Sequence, residues 1–116
     1  MKRNFNIPMK GFGGVPITET VKNADGTETV KEVNLASKLG MRLFYAGSEN
    51  PNPQNPSAMI LSDDEKIRCY HLAVQLAEHP GEVELTTNDG TLIKKIASND
   101  FVAGIYGQIY DIIENE

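Results

Sequence analysis

The chain has 116 residues, a net charge of −5 and a hydrophobic content of 40%, which predicts a single domain spanning residues 1–116 with a core of its own. No apolar run is long enough to span a bilayer, and the basic N-terminus lacks the apolar segment of a signal peptide. The only cysteine, Cys69, excludes an internal disulfide and agrees with a reducing compartment. We therefore expect a soluble, cytoplasmic protein.

Charge is distributed unevenly along the chain. Residues 1–60 contain seven basic and five acidic side chains, a net charge of +2, whereas residues 61–116 contain four and eleven, a net charge of −7. A nucleic-acid-binding protein usually presents a clustered basic face. Lys31, Lys38 and Arg42 are too few to form such a face, so nucleic-acid binding is not expected.

The first 33 residues predict a β ribbon. Apolar and polar residues alternate over residues 3–9, which indicates a half-buried strand, and the glycines of Lys10–Gly14 indicate a turn. Two further strands are predicted at Val15–Lys22 and Thr27–Val33, because the Asn23–Gly26 turn between them contains the Asp-Gly pair that is typical of hairpins. This β-hairpin or three-stranded meander has few large apolar residues, so we expect it to lie on helices or on another subunit.

Residues 34–116 are predicted to be mostly helical, with about four short helices. Asn34 can cap a helix that continues to about Ala46, although residues 41–45 are also compatible with a strand. Gly40 weakens the helix by ~1 kcal/mol relative to alanine. An N-terminal ribbon followed by a helical bundle places the chain in the α+β class.

The stretch Ser62–Glu78 predicts a central helix with an unusually wide apolar surface. A capping box between Ser62 and Glu65 starts it, and Asp64 and Arg68 form an i,i+4 pair. Polar residues at spacings of three or four form one narrow stripe along this helix: Asp64, Arg68, His71, Gln75 and Glu78. The rest of its surface is apolar, so other elements must cover the helix on more than one side.

The remaining residues predict two more helices. A short extended segment at Glu82–Leu85 precedes a helix over residues 87–97, capped by Thr87. Ser98–Asp100 then breaks the chain and caps a final helix at about residues 100–114. Small residues on a helix face allow another element to approach closely, and this helix has two of them one turn apart, Gly104 and Gly107. The approaching element is either a neighbouring helix or a symmetry mate.

No catalytic or metal-binding constellation is predicted. The loop at residues 10–14 lacks the spacing of a phosphate-binding loop. Cys69 and His71 point about 200° apart on a helix, and His71 and His79 lie two turns apart without a partner cysteine pair for zinc. The acidic run Asp63–Glu65 is explained by the dipole at a helix N-terminus. We therefore predict no catalytic residue, no cofactor and no metal, and we do not expect an enzyme.

Two features suit binding or self-association instead. One is the polar, proline-rich loop at residues 48–57, and the other is the apolar surface of the central and final helices, which predicts a homo-oligomer unless a compact monomer covers it. If a small anion is bound, we expect it at an oligomer interface. The candidate ligand-binding side chains are Lys38, Arg42, Arg68 and His71.

Five stretches carry a family resemblance: Gly14–Ile17, Leu35–Leu43, Glu82–Leu85, Leu92–Lys95 and Gly107–Glu114. Their order over most of the chain resembles that of small proteins of tailed bacteriophages and prophages. The loop at residues 48–57 departs from the shorter connection in those proteins. The resemblance implies a phage or mobile element in a bacterial cytoplasm, and it supplies no catalytic residues.

These observations predict a non-enzymatic, phage-type accessory protein that binds a host protein or a small signal molecule, such as a nucleotide, stoichiometrically. Sequestration of a host immune signal is the most specific form of this hypothesis. The alternative is a virion-assembly or structural protein, or an assembly chaperone, whose N-terminal ribbon adds to the sheet of a partner. An enzyme of an unrecognised type is a third alternative.

Overall fold

The computed structural model describes residues 1–47 and 61–115, and the predicted loop at 48–57 lies outside them. Besides a short 3-10 turn at Phe12–Gly14, these described residues form four strands and four α-helices: β1 Lys2–Arg3, β2 Thr18–Lys22, β3 Glu28–Glu32, α1 Leu35–Phe44, α2 Asp63–Glu78, β4 Val83–Glu84, α3 Thr87–Asp100 and α4 Ala103–Glu114. The α+β class is confirmed. None of the helices in the described ranges is long and apolar enough to cross a membrane.

The strands form two separate antiparallel pairs. β2 and β3 form the predicted hairpin, with Thr20 opposite Val30. The amide of Gly26 donates to the carbonyl oxygen of Asn23 at 3.1 Å, and Gly26 has a φ of 86°, which explains the glycine in this turn. β1 does not extend the hairpin into a meander, because it pairs with β4, with Arg3 opposite Val83.

The single strand predicted over residues 3–9 is wrong in extent, because this segment changes its partner along its length. The amide of Phe5 donates to the carbonyl of Pro80, and that of Met9 donates to the carbonyl of Val33. The predicted apolar side nevertheless faces the protein, since Phe5 and Met9 are buried and Ile7 is half-buried.

α1 and α2 pack closely against each other. Asn34 caps α1 as predicted, with its side chain accepting from the amides of Ala36 and Ser37, but α1 ends at Phe44 rather than near Ala46. A Cβ atom on Gly40 would lie 3.4 Å from Cβ of Leu76. The glycine that lowers helix propensity is therefore also the residue at which α2 approaches α1.

The boundary between α3 and α4 differs from the prediction. Thr86, not Thr87, caps α3 and forms a capping box with Asp89. α3 continues to Asp100, and α4 begins at Ala103 after Val102, without a side-chain cap. The Ser98–Asp100 segment therefore extends the last turn of α3 rather than separating the helices.

One core joins all four helices to the N-terminal segment. Its fully buried side chains include Phe5, Leu39, Ile93 and Ile109. The β2–β3 hairpin contributes no buried residue, so it extends from this core rather than forming part of it.

Candidate functional site

The largest cluster of exposed apolar side chains in the described residues lies on α1 and α2. Eleven large apolar side chains are exposed in the described ranges, and five of them lie on or next to these two helices: Met41, Phe44, Tyr45, Ile67 and Tyr70. Scattered exposed apolar residues are ordinary in folded proteins, but a contiguous group marks an interaction surface. We call these five residues the apolar face.

Ring contacts join α1 to α2 across the apolar face. The ring centroids of Phe44 and Tyr70 are 6.2 Å apart, and those of Phe44 and Tyr45 are 5.0 Å apart. Phe44, at the end of α1, lies beside Tyr70 in the first half of α2. Gly40, one turn earlier in α1, lies against Leu76, further along α2. The two helices therefore run antiparallel.

A groove of about 430 Å³ lies between the two helices. The buried residues that line it are small, Ala36, Gly40 and Ala73, and they form its floor. Its exposed lining residues include Ala77 and the longer side chains of Met41, Phe44 and Tyr45, which form its wall. Small side chains keep the floor low, while the longer apolar side chains stand above it. This is the shape of a site that accepts an apolar side chain from another molecule.

The apolar face is left uncovered because of the way α2 packs. α2 buries Cys69, Leu72, Ala73 and Leu76, which contact the rest of the core. Ile67 and Tyr70 lie on the next side of the helix, and their side chains remain 56% and 53% exposed. The predicted covering of the central helix is therefore incomplete within the described part of the chain.

Of the four predicted ligand-binding residues, Lys38 and Arg42 lie together. They line a smaller groove of about 270 Å³ with Met41, Tyr45 and Asp100. Nζ of Lys38 is 3.4 Å from Oε2 of Glu19, and the guanidinium of Arg42 lies 5.8 Å from the ring centroid of Phe101. This groove therefore combines two cations with one carboxylate at the edge of the apolar face.

Arg68 lies apart from that pair, on the side of α2 that faces α3. It donates to the hydroxyl of Thr86 at 3.1 Å and forms a salt bridge with Asp89. The predicted pair with Asp64 is wrong, because the buried carboxylate of Asp89 takes the guanidinium instead. Arg68 therefore links two helices rather than stabilising one.

Asp89 is the one buried charged residue in the described ranges. Burial by itself raises the pKa of its carboxyl. Hydrogen bonds from Thr86 and Arg68 lower that pKa, and together they outweigh burial, so the pKa lies below its ordinary value. Ionised Asp89 accepts from the amide of Thr86 at 2.9 Å. This cluster is accounted for by its role in holding α3 against α2.

His71 is exposed and lies one turn after Arg68 on α2. Its ring centroid is 5.7 Å from that of Tyr70, so it lies at the α2 edge of the apolar face. Sequence reasoning selected residues by charge and missed the aromatic residues beside them. The available signal was Phe44-Tyr45, two adjacent aromatic residues at the end of a helix.

In the part of the chain that the structure describes, the nucleophilic and metal-binding side chains do not form a cluster. Burial raises the pKa of the Cys69 thiol to about 11, and this side chain is 1% exposed. No group of three or more histidine, cysteine or acidic residues in residues 1–47 and 61–115 could hold a metal ion. The apolar face is therefore the surface that we consider further.

Comparison of the chain with models of protein families, with curated proteins and with solved structures found no match.

Proposed function

We propose that this chain is a non-enzymatic, phage-type accessory protein that acts in the bacterial cytoplasm by stoichiometric binding of a host protein. The observation that carries the proposal is the apolar face, which holds five of the eleven large apolar side chains exposed in the described residues. Three of the five, Met41, Phe44 and Tyr45, line one groove, and the ring of Tyr70 contacts that of Phe44. The family resemblance in the sequence supports the phage setting.

The shape of the site favours one kind of target, an amphipathic helix of the partner. A groove between two antiparallel helices accepts a third helix that inserts apolar side chains at spacings of three and four residues. Phe44 and Tyr70 are about half exposed, so covering each of them contributes about 1 kcal/mol. The binding energy is then concentrated in a few aromatic side chains, as in other protein interfaces.

Charged residues border the apolar face on both sides. By helical position, Lys38 and Arg42 lie on the outer side of α1, whereas Asp64 and Glu78 lie on the outer side of α2. A partner helix with acidic residues on one flank and basic residues on the other would fit in one orientation. Such flanking charges select the partner and speed its association more than they add affinity.

Variants of the apolar face test this proposal. Tagged wild-type protein, Phe44→Ser and Tyr70→Ser are each used to capture host proteins, and Val102→Ser is the control because Val102 is 73% exposed and lies at the start of α4. The target is the protein that wild type and Val102→Ser retain and the two face variants lose. Its affinity and stoichiometry are then measured by calorimetry with purified components.

We expect one target per copy and an affinity at least ~10-fold weaker in each face variant. Equal capture by all four proteins would overturn the proposal. The face variants change exposed side chains, so circular dichroism should show an unchanged fold.

A nucleotide-like signal molecule is the other ligand class considered for this binding function. The groove beside Lys38 and Arg42 offers two cations and the exposed ring of Tyr45. Its carboxylate, Asp100, opposes a phosphate, and Glu19 already pairs with Lys38. We therefore place a protein ahead of a nucleotide. Native mass spectrometry of protein purified from infected cells, with Lys38→Ala and Arg42→Ala as comparisons, decides between them.

A specific observation also supports the alternative role in virion assembly. β2 and β3 form a two-stranded sheet in which no residue is buried. Main-chain groups along its outer edges can pair with a strand from another protein. Replacing Thr20 with proline removes one main-chain N–H donor from β2. Weaker binding of this variant to a capsid or tail protein would support the assembly role, and unchanged binding would count against it.

A further inference from the structure

A second exposed feature of the fold is Phe12, whose side chain is fully exposed. It lies in the loop Phe12–Gly14, in which Gly13 and Gly14 have φ values of 79° and 81°. No L side chain adopts this backbone easily, which explains the two glycines. The loop therefore holds a large aromatic side chain away from the rest of the protein.

The base of this loop is fixed by several hydrogen bonds. The amide of Gly11 donates to the carbonyl of Val15 at 2.7 Å. Gln108 of α4 binds Lys10 twice, accepting from its amide at 3.0 Å and donating to its carbonyl at 2.7 Å. A side chain presented from a fixed base loses little conformational freedom when it binds, so Phe12 is a preorganised anchor.

The same chain contains a matching receptor, the α1–α2 groove. Its floor of alanine and glycine can take a ring, and Phe44 and Tyr45 can contact that ring edge to face. Within one copy the ring does not occupy the groove, because Phe12 is fully exposed. Lys10, two residues before Phe12, is exposed, and so is Glu78, which follows Ala77 of the groove lining; a pair between these two charges would favour contact between copies.

We propose that, in the absence of its target, the protein self-associates by inserting Phe12 of one copy into the α1–α2 groove of the next. The inference rests on the proposed function, since it assigns a competing occupant to the same groove. The anchor and the groove are different surfaces, so the contact is head-to-tail and builds a ring or an open chain rather than a two-fold dimer. Target binding and self-association are then mutually exclusive.

Two complementary variants test the head-to-tail contact. Phe12→Ser removes the anchor and keeps the groove. Ala77→Arg blocks the groove and keeps the anchor, and an arginine near the C-terminus of α2 is compatible with the helix dipole. Val30→Ser, on the exposed hairpin, and Ser98→Arg, on the last turn of α3, are the matched controls. Sedimentation velocity over a range of concentrations gives the size of each species.

We expect wild type and both controls to self-associate and each of the two test variants alone to be monomeric, with association weakened at least ~30-fold. An equimolar mixture of Phe12→Ser and Ala77→Arg should form a 1:1 heterodimer and nothing larger. Monomeric wild type, or a Phe12→Ser variant that associates as wild type does, overturns the inference. A mixture that stays monomeric also overturns it, because the anchor kept by Ala77→Arg should bind the groove kept by Phe12→Ser.

A photo-crosslinking residue at position 12 gives an independent readout of the occupant. The inference expects a crosslink to an α1 or α2 peptide of a second copy, and a crosslink confined to any other surface contradicts it. Target binding separates this result from the proposed function. If Ala77→Arg loses the target while wild type never self-associates, the inference fails and the proposed function stands.

Discussion

Asp89 offers the sharpest test of how this fold is held together. Its carboxylate caps α3 through the amide of Thr86 and pairs with Arg68 of α2. Asp89→Ala removes both interactions from a residue that is 6% exposed. Hydrogen bonds to charged groups contribute about 1.5–3 kcal/mol, and the freed side chain of Arg68, which is 47% exposed, can be solvated. We therefore expect the free energy of unfolding to fall by about 2–3 kcal/mol.

Asp89→Asn separates the charge from the hydrogen bond. The amide oxygen of asparagine can still accept from Thr86, so only the charge-assisted part is lost, and we expect about half of the alanine effect. Urea unfolding followed by circular dichroism measures both variants. A loss below about 0.5 kcal/mol for Asp89→Ala would refute the reasoning, since it would mean that the buried carboxylate contributes no more than an ordinary surface residue.

The dependence of stability on pH gives the same prediction a second test. The pKa of Asp89 is lowered below its ordinary value of 3.8 in the folded protein. The stabilisation by its charge is therefore fully present above 3.8, the unfolded value, and is lost as the pH falls through the lower folded value. The difference in stability between wild type and Asp89→Asn should be full at about pH 7 and smaller at about pH 2. An equal difference at both pH values would rule out this role of the charge.

Three further predictions concern residues of the core. Gly40→Ala should stabilise the protein by about 1 kcal/mol, because its Cβ would meet Leu76 at an ordinary contact distance. Gly40→Val should destabilise it by about 1–3 kcal/mol through overpacking. Thermal melts distinguish the two outcomes. Gly47→Ala should lower the free energy of unfolding by about 1–2 kcal/mol, because the backbone φ there is 80° and the new Cβ would lie 3.2 Å from Leu61. A melting temperature equal to that of wild type would contradict this. Cys69 should react with thiol reagents at mildly alkaline pH only as fast as the protein opens, since burial raises its pKa to about 11; rapid reaction without urea would show that the thiol is accessible.

Local sequence signals predicted much of this fold because they depend on neighbouring residues. The capping box of Ser62 with Glu65 and the cap at Asn34 are both observed, and so is the hairpin turn. In each case the donor and acceptor lie within a few positions, so the sequence specifies the contact. The largest error in a side-chain contact arises where a distant partner decides, as for Arg68, which binds Asp89, 21 residues away, rather than Asp64 in the same helix. The errors at Thr86 and at Ser98–Asp100 are local and shift a helix boundary by one to three residues.

The candidate site was harder to predict than the fold for the same reason. The sequence showed that α2 has more apolar surface than one neighbour can cover. Which side stays uncovered depends on where α1 docks, and Gly40 decides this through its contact with Leu76. The final helix illustrates the opposite outcome, because Ile105, Ile109 and Ile113 are buried, while a Cβ atom on Gly104 or Gly107 would meet no neighbouring atom within 4 Å. Their predicted close approach to a neighbouring helix is therefore absent from the described part of the chain, and contact with a symmetry mate stays a prediction.

The composition of the groove separates a binding surface from a core that is merely left open. An open core would have large side chains on its floor, because two helices that pack alone bury their largest residues against each other. Here the buried lining residues are Ala36, Gly40 and Ala73, whereas Phe44 and Tyr45, which also line the groove, are exposed. Covering these aromatic side chains would remove further apolar surface from water. The arrangement therefore supports the proposal that a side chain of another molecule occupies the groove.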